Sequence, residues 1–188
     1  MKVKTFTLSI VIFFIIYFPQ FVFAGMNLNE QTGKIELGTI GIGYSPHYSS
    51  VGLSHQRYFK RNLFSIRFIY NFELDIFESQ SPSNSILDIA ILYGRVFKSG
   101  KGFISFSTGL GYMYNVYRGE FLRSEGGWLA GISYYEKKTE SAFGIPVDIQ
   151  FILTSKPSYG FGIQAFANIN SKKSYFGFLI CLMMISYN

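Results

Sequence analysis

The chain has 188 residues, of which 19% are aromatic and only 15% charged, with 21 Phe, 14 Tyr and 19 Gly. Soluble domains usually carry about 25% charged residues, so this balance argues against an ordinary soluble globule and favours strands and tight turns. The net charge of +6 is mild and no basic run exceeds two residues, which gives no basis for a nucleic-acid partner.

Residues 1–24 read as a secretory signal peptide. Lys2 and Lys4 form its positive start, "LSIVIFFIIYF" its apolar centre, and Val22 and Ala24 are the small residues before a cut at Gly25. No Cys follows the cut, so lipoprotein processing is not expected. The remaining residues, 25–188, form a single domain. Its lone Cys181 excludes an internal disulfide. No later stretch supplies the roughly 20 continuous apolar residues of a spanning helix, and "FGFLICLMMI" falls well short.

After a polar lead-in, eight alternating segments follow, at roughly 35–44, 48–59, 63–76, 85–98, 103–116, 140–153, 159–170 and 174–187. The links "KRN", "SGKG" and "SKPS" are short. The longest links, "FESQSPSN" and 117–139, both fall on the opposite side. An even strand number with this sorting of loop lengths predicts an all-β, eight-stranded antiparallel transmembrane β-barrel, an up-and-down meander with both termini periplasmic and the long loops extracellular.

The two faces of the segments support a barrel over a sandwich. In 63–76, Phe64, Ile66, Phe68, Tyr70, Phe72, Leu74 and Ile76 share one face, which a membrane barrel turns to lipid. The other face is rich in Gly, Ser, Asn and Gln and poor in Lys, which suits the crowded interior of a narrow barrel. Pro146 lacks a donor and predicts a bulge near the outer rim. Segment 48–59 has no clean face. A turn pairing Phe59 with Leu63 would place His55 and Arg57 in the lumen and Ser54 and Gln56 toward lipid. Arg95 falls outward near the short-turn end, where a charge costs about 0–1 kcal/mol. The basic turn residues Lys60, Arg61, Lys98, Lys101 and Lys156 read as interfacial anchors.

A buried charge needs a partner. Arg67 and Asp148 fall at similar heights above their turns, on strands that nearly oppose each other in a ring of eight. The expected polar network of the lumen is therefore Arg67 with Asp148, joined by Gln164 and His55, the lumen being filled by its own side chains.

The segments "GIGYSPHYS" and "NINSKKSYFGFLICL" resemble a group of outer-membrane β-barrel-domain proteins, within the wider class of small eight-stranded outer-membrane barrels. The resemblance spans nearly all of 25–188 and implies fold and outer-membrane location, with no activity to carry over. The chain ends "MISYN", with Tyr187 penultimate where such barrels end on an aromatic read by the assembly machinery.

One alternative carries chemistry. Barrels of the lipid A deacylase kind hold a His-x-Ser-Asn motif, and "HYSS" offers His47 and Ser49, two apart and so on one face of a strand. Glu120 or Glu125 would orient the His. Ser50 stands where that motif has Asn, and the motif falls early in the chain. A structural or surface-interaction role without catalysis is the main reading, and a narrow channel is a third. Two His and one Cys predict no metal site, and no cofactor is expected. The "GGWLAGISYYEKK" stretch reads as an aromatic girdle or a strand extension beyond the membrane. The expected partners are outer-membrane lipid, lipopolysaccharide and, during biogenesis, the barrel assembly machinery, with the protein a monomer.

Overall fold

The computed structural model describes residues 34–59, 61–74, 79–99, 102–126, 131–156 and 158–187. The expected signal peptide at 1–24 lies outside them, as do Lys60, Lys101 and the Trp128 region of the longest link.

The described residues form eight long strands and one short one. They are β1 (Lys34–Ser45), β2 (Tyr48–Phe59), β3 (Asn62–Phe72), the short β4 (Ser79–Ser81), β5 (Ser85–Ser99), β6 (Gly102–Glu125), β7 (Ile132–Lys156), β8 (Tyr159–Asn170) and β9 (Tyr175–Tyr187). Each long strand pairs antiparallel with its neighbour along the chain, and β9 closes the ring on β1. Closure pairs the backbone without leaving a wall edge, which a lipid environment requires. β4 adds parallel to β7, pairing Ser79 with Ile132.

The register gives the stagger of the ring. From Arg67, the pairings through Ala90 and Gly111 reach Gly144 on β7. In the other direction, the pairings through Ser54, Thr39, Met183 and Gly160 reach Thr154. Those two ends lie about ten residues apart on one strand, the shear expected when eight strands tilt into a closed barrel. Shared evenly round the ring, this shear carries the level of Arg67 about four residues along β7 from Gly144, to Asp148.

The outer face carries a continuous apolar band. Phe64, Ile66 and Phe68 of β3, Leu87, Ile89 and Ile91 of β5, Phe143, Ile145 and Ile149 of β7, and Phe176, Phe178 and Ile180 of β9 are all exposed. The inner face is more apolar than its Ser, Asn and Gln content suggests. Leu37, Leu63, Val96, Ile152, Met183 and Ile185 fill the end near the short turns, with Phe103 packed on them. Ile69, Ile86, Met113 and Phe166 lie higher. Gly43 lines a wall with no room to spare, since a Cβ there would meet the Phe178 carbonyl oxygen at 1.8 Å.

Four sequence expectations change. First, Phe59 pairs with Asn62, not Leu63, because the turn has two residues. A one-residue slip exchanges the faces of a strand. Ser54 and Gln56 are therefore buried in the lumen, while His55 and Arg57 lie on the outer face. Second, no bulge accompanies Pro146. Thr108 pairs with Val147 and Gly111 with Gly144, a constant register with two ladder positions unpaired between them. The Thr108 hydroxyl donates to the Pro146 carbonyl at 2.9 Å. Third, the link 117–139 is mostly strand. β6 and β7 continue past the barrel rim as a two-stranded ribbon, with register irregularities between Arg118 and Arg123. Fourth, β3 ends at Phe72 instead of 76.

Candidate functional site

The polar centre of the lumen is built from five strands. β3 supplies Arg67, β5 Asp88, β7 Asp148, β8 Gln164 and Asn168, and β9 Tyr175. Alternation on each strand turns these side chains inward because their neighbours, such as Ile66 and Phe68 or Leu87 and Ile89, are drawn to the apolar exterior. Arg67 is 1% exposed, Asp88 0% and Asp148 2%, so solvent contributes almost nothing to their charge balance.

Arg67 bridges two carboxylates. Its Nη1 donates to Asp148 Oδ1, and its Nη2 donates to Asp88 Oδ2 at 2.8 Å. Gln164 Nε2 donates to Asp148 Oδ2 at 2.8 Å. Asp88 Oδ2 also accepts from Asn168 Nδ2 at 3.1 Å and from the Tyr175 hydroxyl. The Arg67 guanidinium lies 5.9 Å from the Phe166 ring centroid. Strand pairing places Gln164 opposite Gln150, not Asp148, so its contact with Asp148 is diagonal. The structure thus brings Arg67, Asp148 and Gln164 together.

His55 does not join them. It sits on the outer face between Gly38 and Ile66. The same slip places Arg57 outward, two residues from the turn. Its Nε donates to Glu36 Oε1 at 2.8 Å across the β1–β2 pair. A charge so placed avoids the cost of about 2–4 kcal/mol that a bare cation meets at the bilayer midplane.

Asp88 and Tyr175 were not singled out from sequence. The signal for Asp88 was present, because the outward Leu87 and Ile89 place it in the lumen. Tyr175 begins its strand among aromatics, and nothing local distinguishes it from a girdle residue.

The candidate pair His47 and Ser49 is separated by backbone geometry. His47 occupies the two-residue turn between β1 and β2 at a φ of 69°, and its backbone N–H donates to the Tyr44 hydroxyl at 3.2 Å. Ser49 lies on β2, opposite Tyr44 and Phe72. The premise that both share one strand face therefore fails. The Glu125 carboxylate lies 3.2 Å from the Arg123 Nε. Among the described residues, no group of three or more His, Cys, Asp or Glu is placed to hold a metal ion.

A second polar cluster ties the loop after β3 to the ribbon. The Arg118 guanidinium meets the Glu73 carboxylate at 2.8 Å, and its backbone N–H donates to Asn84 Oδ1 at 2.9 Å. Glu73 N–H donates to the Asn84 carbonyl at 3.1 Å. Arg118 also stands 5.7 Å from the Tyr135 ring, and Arg123 5.1 Å from Tyr134. The Tyr117 hydroxyl donates to Glu140 at 3.0 Å, which raises its pKa above the ordinary tyrosine value.

No family profile matches this sequence, and no curated protein sequence matches it. Solved structures do match its fold. The N-terminal β-barrel domain of Pseudomonas aeruginosa OprF aligns over 82% of this chain and 98% of its own, with a TM-score of 0.53 at 9% identity. Neisserial surface protein A aligns over 82% and 96%, with a TM-score of 0.52 at 10% identity. The attachment invasion locus protein Ail of Yersinia pestis aligns over 82% and 99%, with a TM-score of 0.51 at 9% identity. The fold is that of the small eight-stranded outer-membrane β-barrels.

Proposed function

We propose that this protein is an outer-membrane barrel that displays a β-ribbon at the cell surface, with a structural or surface-interaction role and no catalysis. The observation that carries this reading is the pairing of an outward apolar band on β3, β5, β7 and β9 with a lumen spanned by Arg67, Asp88 and Asp148. A soluble protein exposing Phe64, Ile91, Phe143 and Ile180 together would aggregate, whereas lipid covers such a band. Burying two carboxylates on one guanidinium is tolerable only with dense hydrogen bonding, which this lumen supplies. A pore would instead keep its charges in water.

On this reading the termini and the β2–β3, β5–β6 and β7–β8 turns face the periplasm, and the β1–β2 turn faces outward. The ribbon and the loop after β3 face outward. Lipid and lipopolysaccharide surround a monomeric barrel, the assembly machinery inserts it, and residues 1–24 direct its export. Envelope fractionation tests the reading. The protein is expected in the outer-membrane fraction, with different gel mobilities before and after boiling in SDS. Recovery from the soluble periplasm with one mobility would contradict it.

A further inference from the structure

With both carboxylates ionised, the charges of the lumen do not balance. Arg67 contributes one positive charge against the carboxylates of Asp88 and Asp148, all three almost wholly buried. Both carboxylates face donors: Arg67 and Gln164 on Asp148, and Arg67, Asn168 and Tyr175 on Asp88. All three donors to Asp88 converge on Oδ2. Its other oxygen, Oδ1, is buried with no hydrogen-bond partner.

A second oxygen of the same kind lies beside it. Asn115 is 2% exposed, and its Oδ1 is also buried without a partner. Ile86 pairs with Asn115 and Asp88 pairs with Met113, so Asp88 and Asn115 are diagonal neighbours on the lumen face of β5 and β6. Diagonal neighbours have Cα atoms about 7–8 Å apart, within reach of side chains that converge. A Cβ at Gly111 would meet Asn168 Nδ2 at 3.1 Å, Pro146 Cδ at 3.4 Å and Asp88 Oδ1 at 3.5 Å, so Asp88 Oδ1 stands beside the backbone of β6.

Both orphaned oxygens are acceptors, so neither satisfies the other. A proton on Asp88 would cancel the surplus charge with no dependence on salt, and a salt series separates it from a bound ion. A water molecule would satisfy the lone pairs and leave the surplus charge in place. A hard cation between them does both, since carboxylate and amide oxygens are the ligands such ions prefer.

We infer that Asp88 Oδ1 and Asn115 Oδ1 hold a monovalent alkali cation, sodium or potassium, in the upper lumen. One positive charge neutralises the group of Arg67, Asp88 and Asp148, whereas a divalent ion would overshoot it. The site lies near the outer rim, because Asn115 pairs with Ile86, one position inside the Ser85–Val116 end of the β5–β6 ladder. The ion enters from outside and is trapped by the lumen packing. The inference rests on the closed-lumen reading above.

The test is the thermal midpoint of the refolded protein in detergent, read by circular dichroism at pH 8. Sodium, potassium and N-methyl-D-glucamine chlorides are compared at equal ionic strength. The midpoint is expected to rise by a few degrees, and to saturate, with sodium or potassium relative to the organic cation. Asp88→Asn balances the charge and should abolish the increment. Asn115→Leu removes one ligand and should raise the half-saturating concentration about tenfold. Equal midpoints in all three salts would overturn the inference, as would an increment that persists in Asp88→Asn. Should Asp88→Asn fail to fold, the wild-type salt series and Asn115→Leu still decide the matter. Lack of a salt increment in a barrel that remains non-conducting removes the site and leaves the closed lumen standing.

Discussion

At the scale of single residues, Arg67 is the least replaceable side chain in the lumen. It is the one guanidinium between Asp88 and Asp148, and all three are out of water. Removing one partner of a buried ion pair typically costs about 3–5 kcal/mol. Arg67→Met should therefore lower the thermal midpoint strongly, while the triple variant Arg67→Met, Asp88→Asn, Asp148→Asn should recover much of the loss. A single variant as stable as the wild type would show that the bridge carries no weight. Asp148→Ala should likewise cost far more than Glu120→Ala, since Glu120 is exposed on the ribbon. Equal midpoints for these two variants would contradict the burial argument. Gly43→Ala should also destabilise, because the Phe178 carbonyl occupies the space its Cβ would need.

At the scale of elements, the register of β2 is the sharpest claim. Phe59 opposite Asn62 turns His55 to lipid and Gln56 to the lumen. A cysteine-attached fluorophore at position 55 should be quenched by a lipid-borne spin label, and one at position 56 should not. The reverse pattern would restore the register expected from sequence. The ribbon of β6 and β7 makes a second claim of this kind. Trypsin added to intact cells should cut near Arg118, Arg123 or Lys137 while Arg61, in the β2–β3 turn, stays protected. Cleavage at Arg61 with an intact ribbon would invert the topology.

These same elements show what was legible in the sequence. The alternation of β3, β5 and β7 was clear, because Phe64 to Phe68, Leu87 to Tyr93 and Phe143 to Phe151 each show a period of two. β2 was not, because Ser54, His55, Gln56 and Arg57 are all polar and the face was assigned through an assumed turn. The turn has two residues, and a single slip exchanged the whole set. The lengths of β6 and β7 beyond the rim were hidden for a different reason. Residues 117–125 and 132–139 are mixed charged and aromatic and carry no apolar period, since neither lipid nor lumen selects their faces. The expected pairing of Arg67 with Asp148 came from counting residues above the turns. Asp88 is marked as inward by Leu87 and Ile89, but no spacing in the sequence ties it to Arg67, since that contact depends on the tilt of the strands.

At the scale of the whole molecule, shear joins these details. A stagger of about ten residues over eight strands sets the level of Arg67 against Asp148 and leaves an interior that side chains fill. Apolar packing by Leu37, Leu63, Val96 and Ile152 seals the end near the short turns, and the charged cluster spans the middle. The ribbon and the loop after β3, joined through Arg118, Glu73 and Asn84, stand above the barrel. On the proposed reading, the architecture is that of a membrane-held support for a displayed surface, not of a passage.

The most direct measurement is conductance across a planar lipid bilayer containing the purified, heat-modifiable protein. The closed lumen predicts a silent membrane at moderate voltage. Arg67→Ala, which leaves the apolar packing of Leu37, Leu63, Val96 and Ile152 in place, should be silent as well. Steady, long-lived open-channel currents from the wild-type protein would contradict the account.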